Sequence, residues 1–198
     1  MMTISNQLSA LDLISGEKTA SIFDQLYSDI LTASYTSESD FISQLWGRYG
    51  SQTPSLNGAV FEGILATVLY RSNILPLYAQ AQLVYVPNIN FDFVAYTEEL
   101  GPIILSAKTS LRERYKQADL EGMMLKNVHR KSKSYLITLN TKEAATVNNK
   151  INTGLVLGID KVVVATSLAF DELICKLKKY NYSEAGSIDI LTSARLIK

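Results

Sequence analysis

The stretch Ser106-Ala107-Lys108-Thr109-Ser110-Leu111-Arg112-Glu113-Arg114-Tyr115-Lys116-Gln117-Ala118-Asp119-Leu120-Glu121 carries most of what this chain discloses. Lys108 ends an apolar run that begins with Ile103-Ile104-Leu105. The triplet Arg112-Glu113-Arg114 follows four residues after it, and Glu121 stands thirteen residues after it. A β-branched apolar run reads as a strand, and the longer mixed segment beyond it reads as a helix. One strand-to-helix unit therefore carries an ammonium, a carboxylate and two guanidinium forks.

The flanking sequence supplies the rest of the fold. Upstream, Ala81 to Val86, Phe91 to Thr97 and Ile103 to Lys108 read as strands, with Glu98-Glu99-Leu100-Gly101-Pro102 as the turn joining the last two. The lysine run continues as a helix over Leu111 to Val128. Ser134 to Asn140 and Asp160 to Thr166 are expected strands; Lys142 to Asn152 and Leu168 to Tyr180 are expected helices. Before the strands, apolar spacing predicts helices over Glu17 to Ser34 and Glu38 to Tyr49. A third helix carries Val60, Phe61, Ile64, Leu65 and Val68, capped by Ser55 or Asn57 and running up to Asn73. Residues 1–16 read as polar and loosely held. Helices, a hairpin, then alternating strands and helices predict an α/β fold with a mixed central sheet flanked by helices.

With 198 residues, the chain fits a single domain able to bury a core without metal or disulfide staples. Within it, residues 1–50 form an N-terminal helical region available for dimerisation or ligand contact, and residues 55–180 form the core. The single cysteine, Cys175, has no partner for an internal disulfide, which fits a reducing cytoplasm. The lone histidine, His129, argues against multi-histidine metal sites and histidine-based triads. No signal peptide or membrane span is read; the longest apolar stretch, Thr153 to Ser167, is broken by Asp160-Lys161. Net charge is zero, with 19 basic and 19 acidic residues. Basic side chains nevertheless cluster locally, from Arg112 and Arg114 through Lys126 to Arg130, Lys131 and Lys133.

Asp92 sits mid-strand between Phe91 and Phe93, where aspartate is disfavoured, so it needs a reason. A turn centred near Leu100 would place Asp92 directly opposite Lys108, with Cβ atoms roughly 5 Å apart. Ser106 shares the face of Lys108 because strand side chains alternate. Glu62 lies on the upstream helix, and Glu121 lies two helical turns beyond Arg114. Together these residues make a coherent Mg²⁺ site. Asp92 and Glu121 supply hard carboxylate oxygens for the metal. Lys108 stabilises developing negative charge, and Glu62 orients the lysine or a water, or binds a second metal. The forks of Arg112 and Arg114 match guanine O6 and N7, while Glu113 can accept from the cytosine amino group. The blander alternatives are a cross-strand ion pair and ordinary surface charges on a helix.

Phe91-Asp92 followed by Ser106-Ala107-Lys108 resembles the PD-(D/E)xK nuclease core, with Ser106 where an acid is usual. That departure is similar to the branch of type II restriction endonucleases that includes EcoRII and PspGI, which moves the acid to the following helix. Lys108-Thr109-Ser110-Leu111-Arg112-Glu113-Arg114-Tyr115-Lys116-Gln117, ending at Glu121, resembles that branch's signature throughout. The similarity covers residues 55 to 175. It implies Mg²⁺-dependent, sequence-specific hydrolysis of double-stranded DNA at a palindrome containing CC/GG. In that picture Glu62, Asp92, Lys108 and Glu121 are catalytic, Asp92 and Glu121 bind metal, and Arg112, Glu113 and Arg114 read DNA. It further implies a homodimer and a cognate DNA methyltransferase as genetic neighbour rather than subunit. Some members of the branch flip the central bases against an aromatic; Phe23, Tyr27, Tyr35 and Trp46 are the candidates here. Two other readings remain open from sequence: a repair or recombination nuclease of the same fold without tight specificity, and a non-catalytic interaction module.

Overall fold

The computed structural model describes residues 2–86, 88–184 and 191–198. Its centre is a six-stranded mixed sheet in the order β5-β4-β3-β2-β1-β6. The strands are β1 (Leu77–Leu83), β2 (Phe91–Thr97), β3 (Gly101–Lys108), β4 (Lys133–Thr138), β5 (Lys161–Val164) and β6 (Leu191–Ile197). Neighbours from β3 to β5 run parallel; those from β3 back to β6 run antiparallel. The helices are α1 (Ile4–Ala10), α2 (Glu17–Leu26), α3 (Glu38–Tyr49), α4 (Pro54–Arg71), α5 (Arg114–Val128), α6 (Thr141–Asn152) and α7 (Leu168–Leu177).

α4 is the helix that the rest of the N-terminal half encloses. Its buried positions occupy most of its circumference, from Val60 and Phe61 to Val68 and Leu69, as expected for a core helix rather than an amphipathic surface one. Pro54 opens it, where the missing N–H costs nothing. The cap residue is Thr53, not Ser55 or Asn57; the Asn57 amide oxygen instead accepts from the backbone N–H of Gln52 at 2.7 Å. One face of the sheet packs on α4 and α7, with α1, α2 and α3 around them. Each of these buried large apolar side chains contributes on the order of 1.5–3 kcal/mol relative to exposure.

The N-terminal segment corrects the expectation that it is loose. α1 buries Ile4 and Leu8, and Leu13 and Ile14 follow them into the core. The Asp24 carboxylate of α2 accepts from the backbone N–H and the hydroxyl of Ser5 at 2.8 and 2.7 Å, tying the two helices together. These bonds hold the Asp24 carboxyl below the usual range. α2 also stops at Leu26, eight residues earlier than its periodicity suggests. Tyr27 turns inward to donate to the Leu45 carbonyl at 2.8 Å. Arg71 then donates to the carbonyls of Ile30 and Ala33 at 2.8 and 2.5 Å, while its guanidinium lies over the Tyr35 and Phe41 rings. A buried phenol and one arginine thus satisfy the loop polar groups that a longer helix would have paired internally.

The opposite face is covered by α5, α6 and the β1–β2 connection. Tyr78, Val94 and Ile104 meet Leu125 there, and Leu111, Ala118, Leu136 and Val147 form an adjoining cluster. β6 was not anticipated from sequence. Among the described residues no helix is long and apolar enough to cross a membrane.

Candidate active site

The C-terminal end of β3 delivers Lys108 to the rim of the sheet, and β2 delivers Asp92 beside it. The hairpin pivots at Glu99, because Thr97 pairs with Gly101, which has φ 74° and already belongs to β3. Phe93 therefore pairs with Leu105, and Asp92 stands level with Ser106 rather than with Lys108. The expected direct opposition is off by two residues. The lysine stem spans the diagonal, and Lys108 Nζ lies 2.7 Å from Asp92 Oδ2. The same oxygen accepts from the Ala107 backbone N–H at 2.8 Å. Asp92 is 8% exposed, so this carboxylate is held by two donors in a largely dry setting.

Two further acids approach from opposite layers. Glu62 comes from α4; Gln80 Nε2 of β1 donates to its Oε2 at 3.2 Å. Burial, reinforced by the neighbouring Asp92 charge, pushes the Glu62 carboxyl up to about 7, against the attraction of Lys108 and Arg195. Glu121 comes from α5, where Gln117 donates to Oε1 at 2.7 Å. Burial also raises its carboxyl, with Lys108 pulling the other way and Asp92 adding to the rise. Glu62 and Glu121 thus each feel the charges of Asp92 and Lys108. Three carboxyls share the field of one lysine at this corner.

Close backbone contact sets the position of α5. A Cβ on Gly158 would run into the Asp119 carbonyl, and one on Gly122 would run into Gly158. Asp119 Oδ1 accepts from the Leu157 and Gly158 N–H groups at 2.9 and 2.5 Å. Lys126 of α5 and Lys133 of β4 both pair with Asp160, at 2.8 and 2.9 Å. The turn of helix carrying Glu121 is bolted to the segment before β5 on both sides.

Arg112-Glu113-Arg114 is not the start of a helix. The helix begins at Arg114; Arg112 has φ 34° and Glu113 is the cap. Buried Leu111 explains the break: its N–H donates to Glu143 Oε2 at 2.6 Å and its carbonyl accepts from the Arg114 N–H at 2.5 Å. The chain must turn tightly before it can coil. All three side chains of the triplet are exposed. Glu113 pairs with Lys116, which lowers the acid and raises the amine.

Of the four aromatic candidates, Phe23 and Tyr27 are fully buried and Tyr35 is stacked on Phe41, ring centroids 4.6 Å apart. Trp46 is half-buried and lines a pocket of about 470 Å³ together with Thr109, Arg112 and Arg114. Sequence reasoning missed Gln80 and Arg195, which line a narrow cavity with Glu62 and Asp92. No signal pointed to either: a glutamine in a strand is ordinary, and Arg195 lies on the unanticipated β6.

Among the described residues no three His, Cys, Asp or Glu side chains gather into a ready-made metal cluster. Mg²⁺ does not require one, since it typically takes one or two carboxylates and completes its shell with water and substrate phosphate. Carboxyl groups raised by burial and by the Asp92 charge mark a place short of positive charge, and their oxygens are the hard donors Mg²⁺ prefers. The residues fit the ion.

The mixed six-stranded sheet with helices on both faces matches the fold of a solved restriction endonuclease. The chain is similar over 89% of its length, and 82% of the other chain, to the restriction endonuclease PspGI in complex with substrate DNA, with a TM-score of 0.51 and 16% identity. No family model matches the sequence, and no curated protein does.

Proposed function

We propose that this protein is a type II restriction endonuclease: a Mg²⁺-dependent enzyme that hydrolyses double-stranded DNA at a short palindromic site containing CC/GG. The observation that carries this reading is the Lys108–Asp92 contact of 2.7 Å at the sheet rim, with Glu62 and Glu121 converging on it from opposite layers. The restriction-endonuclease-like fold supports it.

In this reading Lys108 holds the scissile phosphate and stabilises its developing charge. Asp92 and Glu121 hold the metal, and Glu62 orients the lysine or the attacking water. Bound Mg²⁺ supplies charge neutralisation and a more acidic water. Arg112 and Arg114 fork onto guanine, and Glu113 accepts from cytosine; exposure at the turn that opens α5 leaves the two forks open to a groove. Trp46, facing the pocket beside both arginines, is the aromatic against which an extrahelical base would rest. A palindrome calls for two-fold symmetry, so the working species is a homodimer cutting one strand per subunit.

The deciding experiment is digestion of a plasmid of known sequence with Mg²⁺, followed by sequencing of the fragment ends. Discrete fragments sharing a CC/GG-containing site are expected, and chelation is expected to stop cleavage. A smear would favour a nuclease without tight specificity; intact DNA at every Mg²⁺ concentration would overturn the reading.

A further inference from the structure

We propose that Gln80, anchored by Asn90, is a positioning residue that sets the orientation of Glu62 within the cleavage site. The inference rests on the nuclease reading above and adds residues that reading does not contain.

Gln80 lies inside β1, yet its φ is 50°, a left-handed backbone that side chains other than glycine rarely adopt. The strand changes face at this residue. Leu77 and Ala79 belong to the cluster under α4, whereas Ala81 and Leu83 belong to the opposite one. Regular alternation would keep all four odd-numbered positions together. The pairing of β1 with β6 slips between Ala79 and Gln82 as well. A bulge of this kind re-aims one side chain, and bulges concentrate beside active sites.

The re-aimed side chain has two specific partners. Asn90 Nδ2 donates to Gln80 Oε1 at 2.7 Å. That fixes which end of the amide is acceptor, and so presents Nε2 to Glu62 Oε2 at 3.2 Å. By the β1–β2 register Gln80 also stands level with Asp92. The bulge, the amide and the asparagine together restrict the Glu62 carboxyl at the point where it meets the charges of Asp92 and Lys108. Glycine would suit the backbone at this position better than glutamine does. The amide therefore accounts for the residue, and the backbone does not.

That contrast supplies the test. Gln80→Gly relaxes the backbone while deleting the amide; Gln80→Met keeps the volume without it and serves if the glycine variant does not fold. Single-turnover plasmid cleavage with Mg²⁺, DNA affinity without Mg²⁺ and the melting temperature are measured for each. The expected result is a rate lower by about ten- to a hundredfold, the scale that a misplaced active-site group costs, with DNA affinity unchanged and Gln80→Gly melting no lower than the parent. Asn90→Ala is expected to fall in the same direction by less. Variants that cut as fast as the parent, or that lose rate only in step with DNA affinity, overturn the inference while leaving the nuclease reading intact. A parent protein that cuts no DNA overturns both.

Discussion

Lys108 and Arg112 are four residues apart, and they sit in opposite kinds of structure. The lysine ends a central strand, with its ammonium on a carboxylate that two donors hold nearly out of solvent. The arginine stands exposed in a left-handed turn whose anchors are Leu111 and Glu143 behind it. Bond-breaking geometry needs groups fixed to a fraction of an ångström, which strands provide. Reading a groove needs groups that project, which connections provide. The same run of chain can carry both because the break at Leu111 separates them.

The sharpest way to break this contrast is Lys108→Ala. Loss of one preorganised charge-stabilising group is expected to slow cleavage by about 10²–10³-fold. Gel-shift affinity for the same DNA should barely change, and parallel loss of both would mean the two regions are not separate devices. Next in size is Gly158→Ala, at a glycine that packs behind the turn of α5 carrying Glu121. Its Cβ would collide with the Asp119 carbonyl; the displacement of α5 should cost about 1–3 kcal/mol in urea unfolding and reduce cleavage through Glu121.

The Arg112–Arg114 segment should respond differently. Arg112→Ala or Arg114→Ala is expected to relax discrimination by about 1–3 kcal/mol per fork, measured as competition between cognate and one-base-altered duplexes. Stability should be unaffected, since neither side chain is buried.

A subtler difference concerns protons. The Glu62 carboxyl is raised from 4.5 to about 7 by burial and by Asp92, so the folded chain holds this proton more tightly than the unfolded chain. Its contribution to stability is therefore present below the unfolded value and declines as pH rises through that window. In metal-free buffer, the parent protein should lose more stability between pH 4.5 and 7 than Glu62→Gln does, read from urea midpoints. Glu113→Gln should leave those midpoints where they are, because its pair with Lys116 is fully exposed.

Much of the frame was legible in advance. α3 spans Glu38–Tyr49 and β2 spans Phe91–Thr97, as periodicity and β-branched runs indicate. What escaped prediction has definite causes. α1 and the end of α2 depend on partners distant in sequence: Asp24 for Ser5, Leu45 for Tyr27, Arg71 for the loop carbonyls. The hairpin pivot rests on Gly101 beginning β3, and a shift of two residues left the long lysine within reach of its acid. A shorter side chain would not have bridged the diagonal.

By itself, the sequence determined the α/β class, the order of most elements and which residue types could do chemistry, because those follow from local periodicity and side-chain pKa. Only the tertiary structure decided that Arg112 and Glu113 leave the helix, that Trp46 rather than Phe23 or Tyr27 faces a pocket, and that Gln80 turns toward Glu62. Each of those outcomes depends on which groups compete for a buried hydrogen bond or a shared volume. Such competition arises only once distant segments have packed together.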